Sequence, residues 1–402
     1  MVRHKSNFSE LWHKLPWKKF HRTLFRLQVR VFKAIRAGDN RRARNLQKLI
    51  LKSRCARLLA IRQVTQLNPK VDEVTSLTFK QRLELEKVLN SQVNQWKHSK
   101  LREISIPKTD GTHSILKVGT IKDRAWQYLV KYAIEPAHEA KFHPRSYGFR
   151  RGRTAWDAQK FLFQNLNAQA KGIEKRILQL DLEKCFHRIN HSTLMEKVIA
   201  PMSIKLGLWQ SLKTGINPQF LGQGEGISPL LANITFDGIE TIHQSLRYGN
   251  EMVFILDPSD AADQIIAQIE DFLGQIGLKI ESNQIKLVSS TEGFDFLGWH
   301  FRVQSNGKFR SIPSADNFKT FRKKVKAIVN CSNYGASEKA KKLAPLIKGW
   351  RQYHQFCNLD GKFSLWHMNQ RAWKVFNKEK NLNRHQVNDL IKKAFPKVKR
   401  QK

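Results

Sequence analysis

The stretch LRYGNEMVFIL, residues 246–256, sets two apolar runs on either side of Gly249-Asn250. Gly-Asn between hydrophobic runs predicts a β-hairpin, because tight hairpin turns need positive φ angles that these residues adopt cheaply. Tyr248, Gly249, Asn250 and Glu251 then form its tip. Hairpins are common, so the meaning of this one lies in its surroundings. From 101 to 305, β-like runs (REISIPK, RILQLDLE, EMVFIL, FDFLGWHFRV) alternate with helical ones (IKDRAWQYLVKYAIEPAHEA, DAADQIIAQIEDFLGQIG). That alternation predicts an α+β domain with a mostly antiparallel sheet.

Outside this region the pattern is helical and basic. Leu24, Leu27, Val31 and Ile35 recur at helical spacing, Gly38 stops that helix, and Asp39 or Asn40 caps a second one. The second helix carries Arg41, Arg42, Arg44, Lys48, Lys52, Arg54, Arg57 and Arg62 with almost no interleaved acids, so i,i+4 pairing cannot account for them. It reads as a nucleic-acid arm. A turn-prone segment at Leu67–Ser76 marks a boundary. From Pro313 onward the strands cease, and FKTFRKKVKAIV places Phe318, Phe321, Val325 and Ile328 on one face, with Lys319, Arg322, Lys323 and Lys326 on others. The expected organisation is a basic helical extension (1–70), the α+β part (71–305) and a helical part (306–402).

The charge narrows the partner. The 402 residues hold 72 Lys and Arg against 33 Asp and Glu, a formal net charge of +39. Such an excess points to a polyanion. A membrane surface would call for a basic amphipathic helix beside an apolar anchor, and no segment reaches the ~18 apolar residues of a spanning helix. Nucleic acid is the expected partner. Cys55, Cys185, Cys331 and Cys357 form no CxxC pair and have no histidine at zinc spacing, which suggests thiols in a reducing compartment and shows no zinc-type endonuclease module. The N-terminal residues lack an apolar core of the secretory type.

Several segments then occur in a telling order: IPKTDGTHSILKVGTIKDRAWQYLVKYAIEPAHEAKF, SYGFRRGRTAWDA, LDLEKCFHRINH, GQGEGISPLLANI, GLKIESNQIKLV, GFDFLGWHF and PLIKGWRQYHQFC. Together they resemble group II intron-encoded proteins, which join a reverse transcriptase to a maturase domain, and the resemblance covers nearly the whole chain. It implies a right-hand reverse transcriptase fold, with fingers and palm from the α+β region, followed by a helical thumb and maturase domain that grips intron RNA. In active members the hairpin carries Tyr-Ala-Asp-Asp. With an aspartate from the strand before it, that hairpin holds the metals for nucleotide addition.

Two-metal chemistry needs carboxylates that hold divalent ions about 3.5–4 Å apart. Asp181 matches the first carboxylate, but Asn250 and Glu251 stand where the family has two aspartates. Ser114 replaces an arginine expected at the incoming triphosphate, which removes a phosphate fork. Gly222, Gln223 and Gly224 precede Ser228 and Pro229 where the family has Pro-Gln-Gly, so a turn-fixing proline is lost. Gln284 takes the place of a lysine near the leaving pyrophosphate, and Lys286 lies two positions further on. No intact catalytic set is therefore expected, and Asp181 at most would touch a metal.

What persists is basic. Arg150, Arg151 and Arg153 surround a glycine and read either as a phosphate surface or as a solvated loop. Lys108 sits beside a fixed turn. Lys348, Trp350, Arg351 and Tyr353 combine aromatics that stack on unpaired bases with cations that meet phosphate, unless Trp350 belongs to a helical core. The expected function is that of a splicing maturase binding group II intron RNA. It requires no cofactor of its own, and magnesium comes with the RNA. A residually active polymerase and a general RNA-binding protein are the alternatives. The compartment expected is the cytoplasm of a cyanobacterium-like bacterium or an organelle matrix such as the plastid stroma.

Overall fold

The computed structural model describes residues 8–67, 77–107, 113–182, 189–214, 226–281 and 284–398. Its helices and strands fall into two compact units. The first comprises 1–158, 179–254 and 261–285, and the second 159–178, 255–260 and 286–402.

The first unit opens with five helices: α1 Phe8–His13, α2 Trp17–Arg36, α3 Asn40–Lys52, α4 Arg54–Arg62 and α5 Phe79–Gln92. Gly38 takes φ 76°, which ends α2 without cost because glycine has no Cβ. The Asp39 side chain then caps α3 by accepting from the Arg42 N–H at 2.8 Å. The second basic helix read from the sequence is broken at Ser53, whose extended backbone separates α3 from α4.

After the antiparallel pair β1 Arg102–Pro107 and β2 His113–Val118, the central helix α6 Ile121–Glu139 runs almost wholly buried, and α2, α3 and α4 pack on it. Thr120 caps α6 through the Asp123 N–H, and its hydroxyl donates to Asp123 Oδ2 at 2.6 Å. Trp96 Nε1 donates to the other oxygen at 2.9 Å. These bonds and His98 hold the Asp123 carboxyl below its ordinary value although burial pushes the other way. Trp126, fully buried on α6, stacks with Trp96 at 6.3 Å. A side chain of that size contributes about 2–3 kcal/mol by leaving water. The helix Met202–Lys213 passes over it only because residue 207 is glycine; a Cβ there would lie 2.7 Å from the indole ring.

Further along come α7 Ala155–Leu166, β3 Arg176–Asp181, α8 His191–Lys197, α9 Met202–Lys213, α10 Ser228–Phe236, β4 Ser245–Tyr248, β5 Glu251–Leu256 and α11 Ala262–Gln275. With β6 Ile285–Ser289 they give a four-stranded sheet in the order β4–β5–β3–β6. The hairpin has the expected register, Tyr248 opposite Glu251. Only Gly249 is left-handed (φ 68°), so the turn needs one permissive residue where the sequence offered two.

In the second unit, FDFLGWHFRV is not one strand but a second hairpin, β7 Phe294–Phe296 and β8 Trp299–Val303. Leu297 and Gly298 turn it with φ 52° and 76°. A leucine there is strained, and the turn is held from outside: Leu297 O accepts the Tyr353 hydroxyl at 2.8 Å and Gly298 O accepts Asn317 Nδ2 at 3.0 Å. Strand β9 Phe309–Pro313 completes this sheet and lies beyond residue 305, where the sequence placed the start of the helical part. Helices α12 Ala315–Asn330, α13 Ala336–Tyr353, α14 Trp366–Phe376 and α15 Arg384–Ala394 follow, around a core that includes Phe318, Phe321, Leu343, Ile347, Trp350 and Phe376. No helix among the described residues is long and apolar enough to cross a membrane.

Candidate nucleic-acid interface

At the hairpin tip, Asn250 Nδ2 donates to Asp181 Oδ1 at 3.1 Å, and Asn250 O accepts from the Leu182 N–H at 3.2 Å. The opposite amide orientation would set a carbonyl oxygen against a carboxylate oxygen, so the N–H faces Asp181 on physical grounds. An N–H donor is no metal ligand. The amide N–H thus meets the Asp181 carboxylate at this corner of the sheet. Glu251 opens β5 beside Tyr248, whose hydroxyl is pushed up by burial and by that carboxylate. Gln284 closes a turn, with its Oε1 accepting from the Glu281 N–H at 2.9 Å. Ser114 lies on β2 in register with Ile106. Lys108, Cys185 and Gly222, Gln223 and Gly224 lie outside the described residues.

The SYGFRRGR segment does something the sequence did not reveal: it buttresses this hairpin. Arg247, 1% exposed, donates to Glu240 Oε1 (2.6 Å), Asn233 Oδ1 (2.8 Å) and Ser146 Oγ (2.8 Å). The Tyr147 N–H donates to Arg247 O at 2.8 Å, and a Cβ on Gly148 would stand 2.4 Å from the Gly249 nitrogen. Arg150 is accordingly not a phosphate contact. It is buried, forks onto Glu139 through Nε and Nη2, and donates from Nη1 to the carbonyls of His143 and Ser146, both at 2.7 Å. Of its neighbours, Arg151 is exposed yet paired with Glu135 at 3.1 Å, and Arg153 lies over the Tyr147 ring.

On the N-terminal helices, Arg41, Arg42, Arg44 and Lys48 are exposed on the side of α3 opposite Ala43, Leu46, Gln47 and Ile50. Helix α2 adds Arg22, Arg26, Arg30 and Lys33, also exposed, which the sequence reading passed over. Arg57 does not face outward with them: it is buried and bridges Glu86 at 2.7 Å, so it braces α4 against α5. Arg62 covers the Trp17 ring at 4.5 Å.

In the helical part, cations gather around one cavity. Lys319, Arg322, Lys323 and Lys326 all line one groove of about 720 Å³ along α12. Its far wall adds Lys362, Arg371 and Lys374 together with Trp366 and His367, and among the described residues none that lines the groove is acidic. A continuous sequence cue existed: from Gly361 to Lys378 there is no Asp or Glu. Lys348 is exposed on α13, but Trp350 is 7% exposed and stacks on Phe321 at 4.1 Å, which makes it core and not a base platform. Tyr353 stacks on Trp299 at 4.6 Å while its hydroxyl holds the Leu297 turn, and Arg351 is half-buried. Tyr353 therefore serves the second hairpin and not an open surface.

A sheet carrying the Asp181–hairpin corner, preceded by basic helices and followed by a helical part with a cationic groove, defines the reverse transcriptase class. Residues 12–89 match the N-terminal domain of reverse transcriptase, 106–301 the reverse transcriptase (RNA-dependent DNA polymerase), and 318–394 the group II intron maturase-specific domain. The chain is 41% identical over 390 residues to maturase-like protein 1 of Euglena gracilis, covering 94% of this chain and 85% of that one. Its counterpart in Euglena longa is 38% identical over 401 residues, 97% and 87% of the two chains. Protein YkfC of Escherichia coli K12 is 29% identical over 180 residues, 41% of this chain and 47% of that protein. The chain belongs to the group II intron reverse transcriptase/maturase family.

Proposed function

We propose that this protein is a splicing maturase that binds group II intron RNA and stabilises its active fold, with polymerase activity lost. The groove of the helical part carries this reading: cations on two facing walls, without a carboxylate, neutralise phosphates that repel one another as a large RNA compacts. In the first unit, the exposed basic stripes of α2 and α3 offer further contacts for phosphate. Magnesium belongs to the RNA in this scheme, because Asn250 occupies Asp181 with an N–H. The free thiols of Cys55, Cys331 and Cys357 suit a reducing compartment, a bacterial cytoplasm or an organelle matrix such as the plastid stroma.

A residual polymerase is the second reading, favoured by the hairpin's intact register. Primer extension on an RNA template with magnesium or manganese separates the two. No product is expected, and product that disappears on Asp181→Ala would defeat the loss of polymerase activity.

A further inference from the structure

Trp366 opens α14 with 60% of its surface exposed, whereas Trp299 and Trp350 in the same unit are 0% and 7% exposed. An indole left in water at the wall of a groove keeps a broad π face available. His367 stands edge-on to it, with ring centroids 4.9 Å apart at 77°. Gln370, one turn on along α14, lines the same groove and is exposed, with an amide able both to donate and to accept. The cations of α12 face this pair across the groove, which at about 720 Å³ has room for a nucleotide.

A paired A-form helix buries its base faces in the stack and offers proteins mainly phosphates and 2′-hydroxyls; an aromatic platform is useful only to a base that is unpaired. We propose that this groove takes a single-stranded stretch of RNA, with one base stacked on Trp366 and its flanking phosphates on Lys319, Arg322 and Lys323. The proposal rests on the RNA-binding reading above and adds the kind of RNA seen at this site. It also puts the base platform at a residue that reaches solvent, whereas Trp350, one of the two readings of the sequence, is core.

The test uses the full chain, an unstructured oligoribonucleotide of about 12 nucleotides, and a blunt RNA duplex of the same sequence. Trp366→Ala is expected to weaken single-strand binding about tenfold, with the salt dependence and the duplex affinity unchanged. Trp366→Phe should restore most of the loss. Equal weakening of both probes, or of neither, overturns base stacking at Trp366. The variant Lys319→Gln/Arg322→Gln/Lys323→Gln/Lys326→Gln reports separately on the underlying reading. If it binds both probes as the parent does, the groove does not bind RNA, whatever Trp366 does. Far-ultraviolet melting confirms that each variant folds.

Discussion

Removing the four cations of α12 should change how RNA binding responds to salt. Lys319, Arg322, Lys323 and Lys326 are exposed, while Phe318, Phe321, Val325 and Val329 of the same helix are buried in the core. Glutamine at all four positions therefore spares the packing and should alter stability by only about 0.5 kcal/mol per site. If each cation neutralises one phosphate, each contributes about 0.7–0.9 to the slope of log K against log salt, so the slope should flatten by about 3. At physiological ionic strength the same contacts carry about two to three powers of ten in affinity. Filter binding of a group II intron RNA over a potassium chloride series measures both quantities. Salt lines for variant and parent that run parallel, with equal affinity at every concentration, would refute the assignment of this groove to phosphate.

Arg150→Ala should cost about 3–5 kcal/mol in urea unfolding, because it leaves Glu139 and two carbonyls without their partner; little change would return Arg150 to the surface. Trp350→Ala should cost a similar 3–5 kcal/mol as a core truncation, and a variant that unfolds normally but binds RNA poorly would contradict its place in the core. Gly148→Ala forces a Cβ to within 2.4 Å of the Gly249 nitrogen and 2.8 Å of the Tyr248 carbonyl carbon, so it should destabilise the first unit, and a thermal midpoint equal to the parent's would count against that close approach. His138 is buried and accepts from the Ile199 N–H at 3.0 Å, and burial, aided by Lys141 and Lys205, pushes its pKa down to about 3. Because the folded value lies below the unfolded one, the contribution is complete above about pH 6.5 and is lost as pH falls towards 3, at about 1.4 kcal/mol per unit. Urea midpoints at pH 7 and pH 5 should differ for the parent and differ less for His138→Gln.

Local chemistry with a short reach was legible in the sequence. Gly249 and the two apolar runs specify their hairpin without outside help, and Gly38 with Asp39 sets a helix boundary within three residues. The strain at Leu297 was invisible, since nothing local favours a left-handed leucine; the turn exists because Tyr353 and Asn317, far along the chain, hold its carbonyls. Arginines misled for the same reason. A guanidinium reads alike in sequence whether it meets phosphate or, like the buried Arg57, Arg150 and Arg247, satisfies a carboxylate brought to it by the fold. Tryptophan has the same ambiguity: Trp350 and Trp366 both sit among cations in sequence, and only packing decides which one faces water. The Asn250–Asp181 contact was anticipated as a missing charge, but not as a hydrogen bond that fills the gap.

The central claim is that the protein acts through RNA folding, with the catalytic groups supplied by the intron. Splicing of the cognate group II intron, followed in vitro across magnesium concentrations with and without the full-length protein, measures it directly. The account predicts that the protein lowers the magnesium needed and speeds splicing where magnesium is scarce, with the gain shrinking as magnesium rises. Identical rates with and without protein at every magnesium concentration would contradict it.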